Sequence, residues 1–222
     1  MKAFFITGTD TDVGKTFVTV CMLRTLMNKQ IRATAYKPIQ SGAQWQGGKW
    51  IAPDVEMYRQ VIDVTDEEGY TYLLQTPCSP HLAARMDGVT IEPSRIVAHV
   101  KKLQQTYDFV LVEGAGGIAV PLVDESFLVA HLAQALSLPL IIVARASVGT
   151  INHTVLTVEY ARAHGLHIAG IIMNGFSTPT NEIERDNIRM IETMTGVPVI
   201  GNIPHMPDGS CGEVVWRKEW WQ

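Results

Sequence analysis

Lys2-Ala3-Phe4-Phe5-Ile6-Thr7-Gly8-Thr9-Asp10-Thr11-Asp12-Val13-Gly14-Lys15-Thr16 decides the architecture. Lys2 to Thr7 reads as a short apolar strand, Gly8 to Gly14 as a polar turn bounded by glycines, and Lys15 towards Asn28 as a helix. Strand, tight loop and helix open an α/β unit. The loop has the chemistry of a phosphate cradle: its glycines allow a tight path and successive N–H groups can surround phosphate oxygens. Lys15 offsets their charge, and Thr16 offers an oxygen to magnesium. The spacing departs from the usual phosphate-loop pattern, because Thr9 stands where that pattern has its first glycine. A structural turn with an exposed lysine is the competing reading.

The same alternation continues along the chain. Ile31 to Tyr36 is expected as a strand, Asp54 to Ile62 as a helix, and Ser79-Pro80 as the start of another. Ile91 to Gln105 has a helical pattern, and Phe109 to Val112 suits a central strand. Further on, Phe127 to Leu136, Thr150 to His164 and Asn181 to Met194 are expected as helices. Pro139 to Ala144, His167 to Met173 and Val197 to Ile200 are expected as strands. This order predicts an α/β fold of the P-loop nucleoside triphosphate hydrolase type, with a mostly parallel central sheet flanked by helices. Functional groups then belong at the carboxyl ends of the strands. With no linker or repeat, residues 1–222 are expected to form a single P-loop α/β domain. The polar insertion from Ser41 to Pro53 lies where a substrate-facing loop can lie, or is a surface connection; Trp45 and Trp50 mark it.

The 222 residues carry 18 Lys and Arg against 22 Asp and Glu, so the net charge of -4 argues against a surface built mainly for nucleic acid. Cys21, Cys78 and Cys211 lie too far apart for a zinc knuckle or a redox pair, and a disulfide scaffold is not expected. Gly8 and Asp10 interrupt the apolar start too soon for a secretory signal, and no apolar run reaches membrane-spanning length. The expectation is a cytoplasmic protein with neither a nucleic-acid nor a membrane partner.

Magnesium between phosphates favours hard oxygen ligands, which brings Thr16, Asp54 and Glu113 together as a candidate set. A solvated helix cap is the alternative for Asp54, and a loop N–H acceptor the alternative for Glu113. Lys37, in Tyr36-Lys37-Pro38-Ile39-Gln40-Ser41-Gly42, is placed beyond a strand end to bind phosphate or an anionic acceptor, or else faces solvent. Asn174 follows Ile171-Ile172-Met173 and can hydrogen-bond a base or stabilise a turn. The lack of a following Lys-x-Asp tilts the choice towards ATP over GTP.

With the phosphate loop, the Lys37 segment, Ser79-Pro80-His81, Val112-Glu113-Gly114-Ala115-Gly116-Gly117 and Gly149-Thr150-Ile151-Asn152-His153 assembled, nearly the whole chain resembles the dethiobiotin synthetase family. The resemblance implies a homodimeric P-loop enzyme that uses ATP, Mg2+, carbon dioxide and 7,8-diaminononanoate and closes a cyclic urea through a carbamate and a carbamic-phosphoric anhydride. It implies that Asp12, Val13, Gly14, Lys15 and Thr16 hold ATP phosphates, with Thr16, Asp54 and Glu113 organising the metal; the next position, 17, is given no part. It gives Lys37, Lys15 and Thr16 the catalytic roles. Thr11, Lys37 and Ser41 take the acceptor, while Gly149, Thr150 and Asn152 of a second subunit receive its carboxylate. Asn174, Asn202 and Pro204 resemble the adenine pocket. His81 and His153 are assigned structural roles. The clustered Trp216, Trp220 and Trp221 carry large apolar area that can cover core or add to a subunit contact, and the sequence leaves the two open. Competing accounts are a related P-loop amide-forming enzyme, a noncatalytic binding module, and a partition or switch ATPase. Thr9 stands where many switch ATPases carry an additional lysine.

Overall fold

Phe5 and Ile6 are adjacent, point to opposite faces of a sheet, and are both fully buried, so the first strand is covered on both sides. The structure is a computed structural model that describes residues 2–206, 211, 214 and 216–221. Its elements are β1 (Lys2–Gly8), α1 (Lys15–Asn28), β2 (Ala33–Gln40), β3 (Gln44–Gln46), β4 (Lys49–Ile51), α2 (Pro53–Tyr58), α3 (Asp66–Gly69) and β5 (Tyr70–Leu73). There follow α4 (Pro80–Asp87), α5 (Pro93–Thr106), β6 (Phe109–Gly117), α6 (Val129–Leu136), β7 (Leu140–Arg145), α7 (Thr150–Ala163), β8 (Ile168–Phe176), α8 (Glu182–Thr195) and β9 (Val199–Pro204).

The main sheet has the order β5-β2-β6-β1-β7-β8-β9, and every neighbouring pair is parallel. One face packs Ile6, Leu111 and Ile141 against Val18, Met22 and Leu26 of α1 and Val55 and Tyr58 of α2. The other packs Phe5, Val110 and Val112 against Ile96, Val100 and Leu103 of α5 and Leu132 of α6. Further along that face, Ile142 and Ile171 meet Val158 of α7 and Ile191 of α8. The expected parallel sheet with helices on both faces is therefore present. Chain direction across the sheet changes at β1, whose neighbours β6 and β7 open a crevice at their carboxyl ends.

Several boundaries differ from the sequence reading. β2 runs to Gln40 and β6 to Gly117, so Lys37 and Glu113 lie within strands instead of just beyond them. β8 likewise includes Asn174, and β9 starts at Val199 and includes Asn202. The helix expected over 54–62 ends as a regular helix at Tyr58, and the 41–53 insertion folds as the β3-β4 hairpin, with Trp45 opposite Trp50. No disulfide scaffold is expected, and the sequence reading does not foresee that Cys21 and Cys211 pair across 190 positions, with Cα atoms 5.6 Å apart. Such a separation leaves no local spacing signal. Trp220 is buried with Cys21 and Phe109, so of the two readings left open it takes the core one.

Candidate active site

Gly14 caps α1 in the left-handed conformation, with φ at 90°, and a Cβ there would run into the Asn174 amide. No acidic residue occupies the first turn of α1, so its free N–H groups and positive dipole end face the loop without a resident anion. The loop is held from three sides. The Thr9 amide donates to the Val143 carbonyl at 2.9 Å, Arg145 donates to the Thr11 carbonyl at 2.8 Å, and Asn174 donates to the Val13 carbonyl at 3.0 Å.

Lys15 is buried and donates to the Asp10 carbonyl at 2.9 Å, folding its ammonium back over the loop. Burial, and after it the charge of Lys37, brings its pKa down to about 8. An incoming polyphosphate would raise it again and favour the charged form. The residue after Thr16 is Phe17, which carries no hydroxyl. The half-buried Phe17 ring packs against the core beneath α1 and offers phosphate no hydrogen bond, so position 17 stays out of the nucleotide set.

Below the loop, the parallel register sets Glu113 beside Ile6. The Glu113 side chain is fully buried, and four side chains reach its two oxygens. Lys37 Nζ and Thr16 Oγ1 lie 2.7 and 2.8 Å from Oε1, while Tyr58 Oη and Thr19 Oγ1 lie 2.7 and 3.0 Å from Oε2. Lys37 also pairs with Asp54 Oδ2 at 2.6 Å. Burial alone would lower the Lys37 pKa; the Glu113 and Asp54 carboxylates reverse that and hold the ammonium above its ordinary value. Asp54 is held below its ordinary value despite burial, chiefly by Lys37. Burial, then the Glu113 charge, keeps the Tyr58 phenol well above its ordinary value, so it stays a donor.

A cleft of about 590 Å³ opens over this cluster. Lys15, Thr16, Lys37, Asp54 and Glu113 line it, together with Thr11, Asp12, Gly14 and Ser41 from the sequence reading. The structure thus gathers four separate sequence segments into one site. Thr16, Asp54 and Glu113 supply only oxygen, two of them as carboxylates, which fits a hard divalent cation. Among the described residues no group of three or more His, Cys, Asp and Glu forms a full metal cage. Two carboxylates and a hydroxyl suit magnesium, which keeps waters and takes phosphate oxygens.

Other expected residues stand apart from the cleft lining. Gly149, Thr150 and Asn152 begin α7; Gly149 and Asn152 are exposed, whereas Thr150 is buried within its own chain. Asn174 pairs with Ile203 in register, beside the Met173 and Asn202 pair, and the Asn202 Oδ1 is buried without a partner. Pro204 closes β9. His81 and His153 are outside the cleft lining too.

Sequence reasoning missed Tyr58, Thr19, Gln40 and Cys78. Gln40 accepts from the Asp54 amide at 3.1 Å, and Cys78 lines the cleft. The signal for Tyr58 was available in its spacing, four residues after Asp54 and so on the same helix face.

The fold is shared with proteins of distant sequence. The septum site-determining protein MinD of Pyrococcus horikoshii, in complex with Mg-ADP, aligns with a TM-score of 0.60 at 17% identity over 95% of this chain and 85% of that one. A ParA family ATPase of Chlorobium tepidum aligns at 0.56 and 15% identity, over 93% and 86%. A family model described as an AAA domain matches residues 2–210. Nearer in sequence are proteins named ATP-dependent dethiobiotin synthetases. One from Anoxybacillus flavithermus is 82% identical over all 222 residues of both chains. Another from Halalkalibacterium halodurans is 44% identical over 94% of this chain and 86% of its own. A third from Bacillus subtilis is 39% identical over 93% and 88%. At that identity, over that length, this chain belongs to the ATP-dependent dethiobiotin synthetase family.

Proposed function

We propose that this chain closes the cyclic urea of dethiobiotin from 7,8-diaminononanoate and carbon dioxide, using ATP. The observation that carries the chemical reading is the convergence of Lys15, Lys37, Thr16, Asp54 and Glu113 on one cleft. One substrate amine attacks carbon dioxide, forming an N–C bond and releasing a proton to give the carbamate. A carbamate oxygen then attacks the γ-phosphorus of ATP, and ADP leaves. The second amine attacks the carbonyl carbon of the resulting anhydride, a C–N bond closes the ring, the attacking nitrogen gives up a proton, and phosphate departs with the C–O bond electrons.

None of these steps needs a protein nucleophile; the chain aligns reactants and stabilises charge. The amides of Asp12, Val13 and Gly14 with Lys15 hold the ATP phosphates, and Thr16 stands at the metal. Lys37, fixed as a cation, neutralises the carbamate and the transferring phosphoryl group. Thr11 and Ser41 receive the acceptor. Asn174, Asn202 and Pro204 form the base pocket, a reading supported by the neighbouring register of β8 and β9 and by the unpartnered Asn202 oxygen. Magnesium, held by Thr16, Asp54 and Glu113, supplies neutralisation of phosphate charge when bound.

The working unit in this reading is a homodimer, and residues 1–222 form a single P-loop α/β domain. Exposed Val148, Gly149 and Asn152 lie outside the cleft of their own chain, which suits presentation to a second copy. The dependence on ATP fits a cytoplasmic location. Among the described residues no helix is long and apolar enough to cross a membrane.

Product-resolved mass spectrometry of the purified protein with 7,8-diaminononanoate, bicarbonate, magnesium and ATP, each omitted in turn, tests the proposal. Dethiobiotin, ADP and phosphate are expected only in the complete mixture. ATP consumption without dethiobiotin would reject this reaction in favour of another acceptor or a switch ATPase.

A further inference from the structure

The four donors to Glu113 divide unevenly between its oxygens. Lys37 and Thr16 meet Oε1, whereas Thr19 and Tyr58 meet Oε2. Thr19 has a single hydroxyl proton, and its oxygen also lies 2.9 Å from the Lys15 carbonyl, so a proton given there is withheld from Glu113. Tyr58 has a closer approach, 2.7 Å, and its hydroxyl is directed at Oε2 in a fully buried setting. The same short helix carries Asp54 one turn earlier. Two of its polar side chains thus reach the two ends of one cluster, Asp54 at Lys37 and Tyr58 at the far oxygen of Glu113.

We propose that Tyr58 is a positioning residue for the cation site: its hydroxyl holds Oε2 of Glu113 and so fixes the carboxylate with Oε1 turned to Lys37 and Thr16, the side on which a cation would be held. This rests on the reading of Thr16, Asp54 and Glu113 as the metal ligands. Without that anchor Oε2 keeps only the longer Thr19 contact, whose proton is shared with the Lys15 carbonyl, and the plane of the carboxylate is held less firmly. Partners that orient a ligand in this way commonly change metal affinity when removed. Phenylalanine at position 58 deletes the oxygen alone and keeps the ring that fills the core.

The test is Mn2+ titration by electron paramagnetic resonance, with the β,γ-imido analogue of ATP present, on the wild type, Tyr58→Phe, Glu113→Gln and the double variant. Tyr58→Phe is expected to weaken Mn2+ binding about ten-fold. Binding of the analogue in EDTA should be unchanged, and in the Glu113→Gln background Tyr58→Phe should have no further effect. A Mn2+ affinity in Tyr58→Phe within two-fold of wild type overturns the proposal, as does a full ten-fold loss that persists in the double variant. If Glu113→Gln itself binds Mn2+ like the wild type, the ligand reading of Glu113 falls and takes the proposal with it, an outcome separate from failure at Tyr58 alone. Tyr58→Met, which also lacks the hydroxyl, provides a second folded sample and should match Tyr58→Phe.

Discussion

Lys37 Nζ stands 2.7 Å from Glu113 Oε1, with side-chain exposures of 6% and 0%, so an ion pair is enclosed at the floor of the phosphate site. Taken alone, either charge would be costly to bury; together with Asp54 they form a hydrogen-bonded cluster. The arrangement keeps a fixed positive charge at the floor of the cleft, which under the proposed function makes the lysine a charge stabiliser instead of a proton acceptor.

Replacing Lys37 by Met leaves two carboxylates without their cation. The unliganded protein should lose about 3–5 kcal/mol of stability, the usual cost of breaking a buried pair. Turnover should fall about 10²–10³-fold, as when one transition-state donor is removed. Thermal melting with and without magnesium, with steady-state rates, checks both. A melting temperature equal to wild type in EDTA contradicts the enclosed ion pair.

Lys15 to Gln removes a cation from the nucleotide side alone. A charge-assisted hydrogen bond contributes about 1.5–3 kcal/mol, so ATP binding should weaken by one to two orders of magnitude. Fluorescence titration with a labelled ATP analogue measures it. Wild-type affinity in that variant defeats the phosphate-loop role.

Asp54 to Asn keeps size and the helix start while halving the carboxylate charge at the cation. The magnesium concentration for half-maximal rate should rise about ten-fold, with a maximal rate partly recovered at high magnesium. An unmoved magnesium curve would instead favour a plain helix-start role for Asp54.

The Gly8–Thr16 loop was legible because its glycines, lysine and threonine are neighbours in sequence and act through one local turn. Lys37, Asp54 and Glu113 were legible as chemistry, yet their position inside or beyond a strand was not. Gly114, Gly116 and Gly117 read as a loop, but pairing of Gly117 with Gly8 carries β6 onward. Tertiary pairing thereby overrides weak local propensity. The β3-β4 hairpin did have a signal, Gly47-Gly48 between two tryptophans, and both glycines take positive φ. Thr19 and Tyr58 act on a carboxylate 94 and 55 positions away, a relationship that no local pattern encodes.

His99 stacks on Tyr36 with ring centroids 4.5 Å apart, faces Thr71, and has a buried Nε2 without a partner. Burial and then Lys102 lower its pKa below 6.5, against weaker support from Glu68. As pH falls through that ordinary value, the unfolded chain takes up a proton that the folded chain resists, so stability falls. Between pH 7 and 5.5 the melting temperature should drop less in His99→Phe than in the wild type. Equal slopes would remove His99 from the acid response.

If the acceptor carboxylate is received by a second copy, loss at Lys15 and loss at Asn152 damage different halves of one site. Lys15→Gln and Asn152→Ala are each expected to be weak alone. In a heterodimer, one site contains both lesions and the other contains neither. Random pairing of equal amounts makes half the dimers mixed, and half of their sites intact, so about a quarter of wild-type activity should return. Mixing after mild dissociation, followed by the dethiobiotin assay, provides the measurement, with subunit exchange followed by mass-tagged chains. Full exchange without recovered activity would place the whole acceptor site, Lys15 and Asn152 included, within one chain.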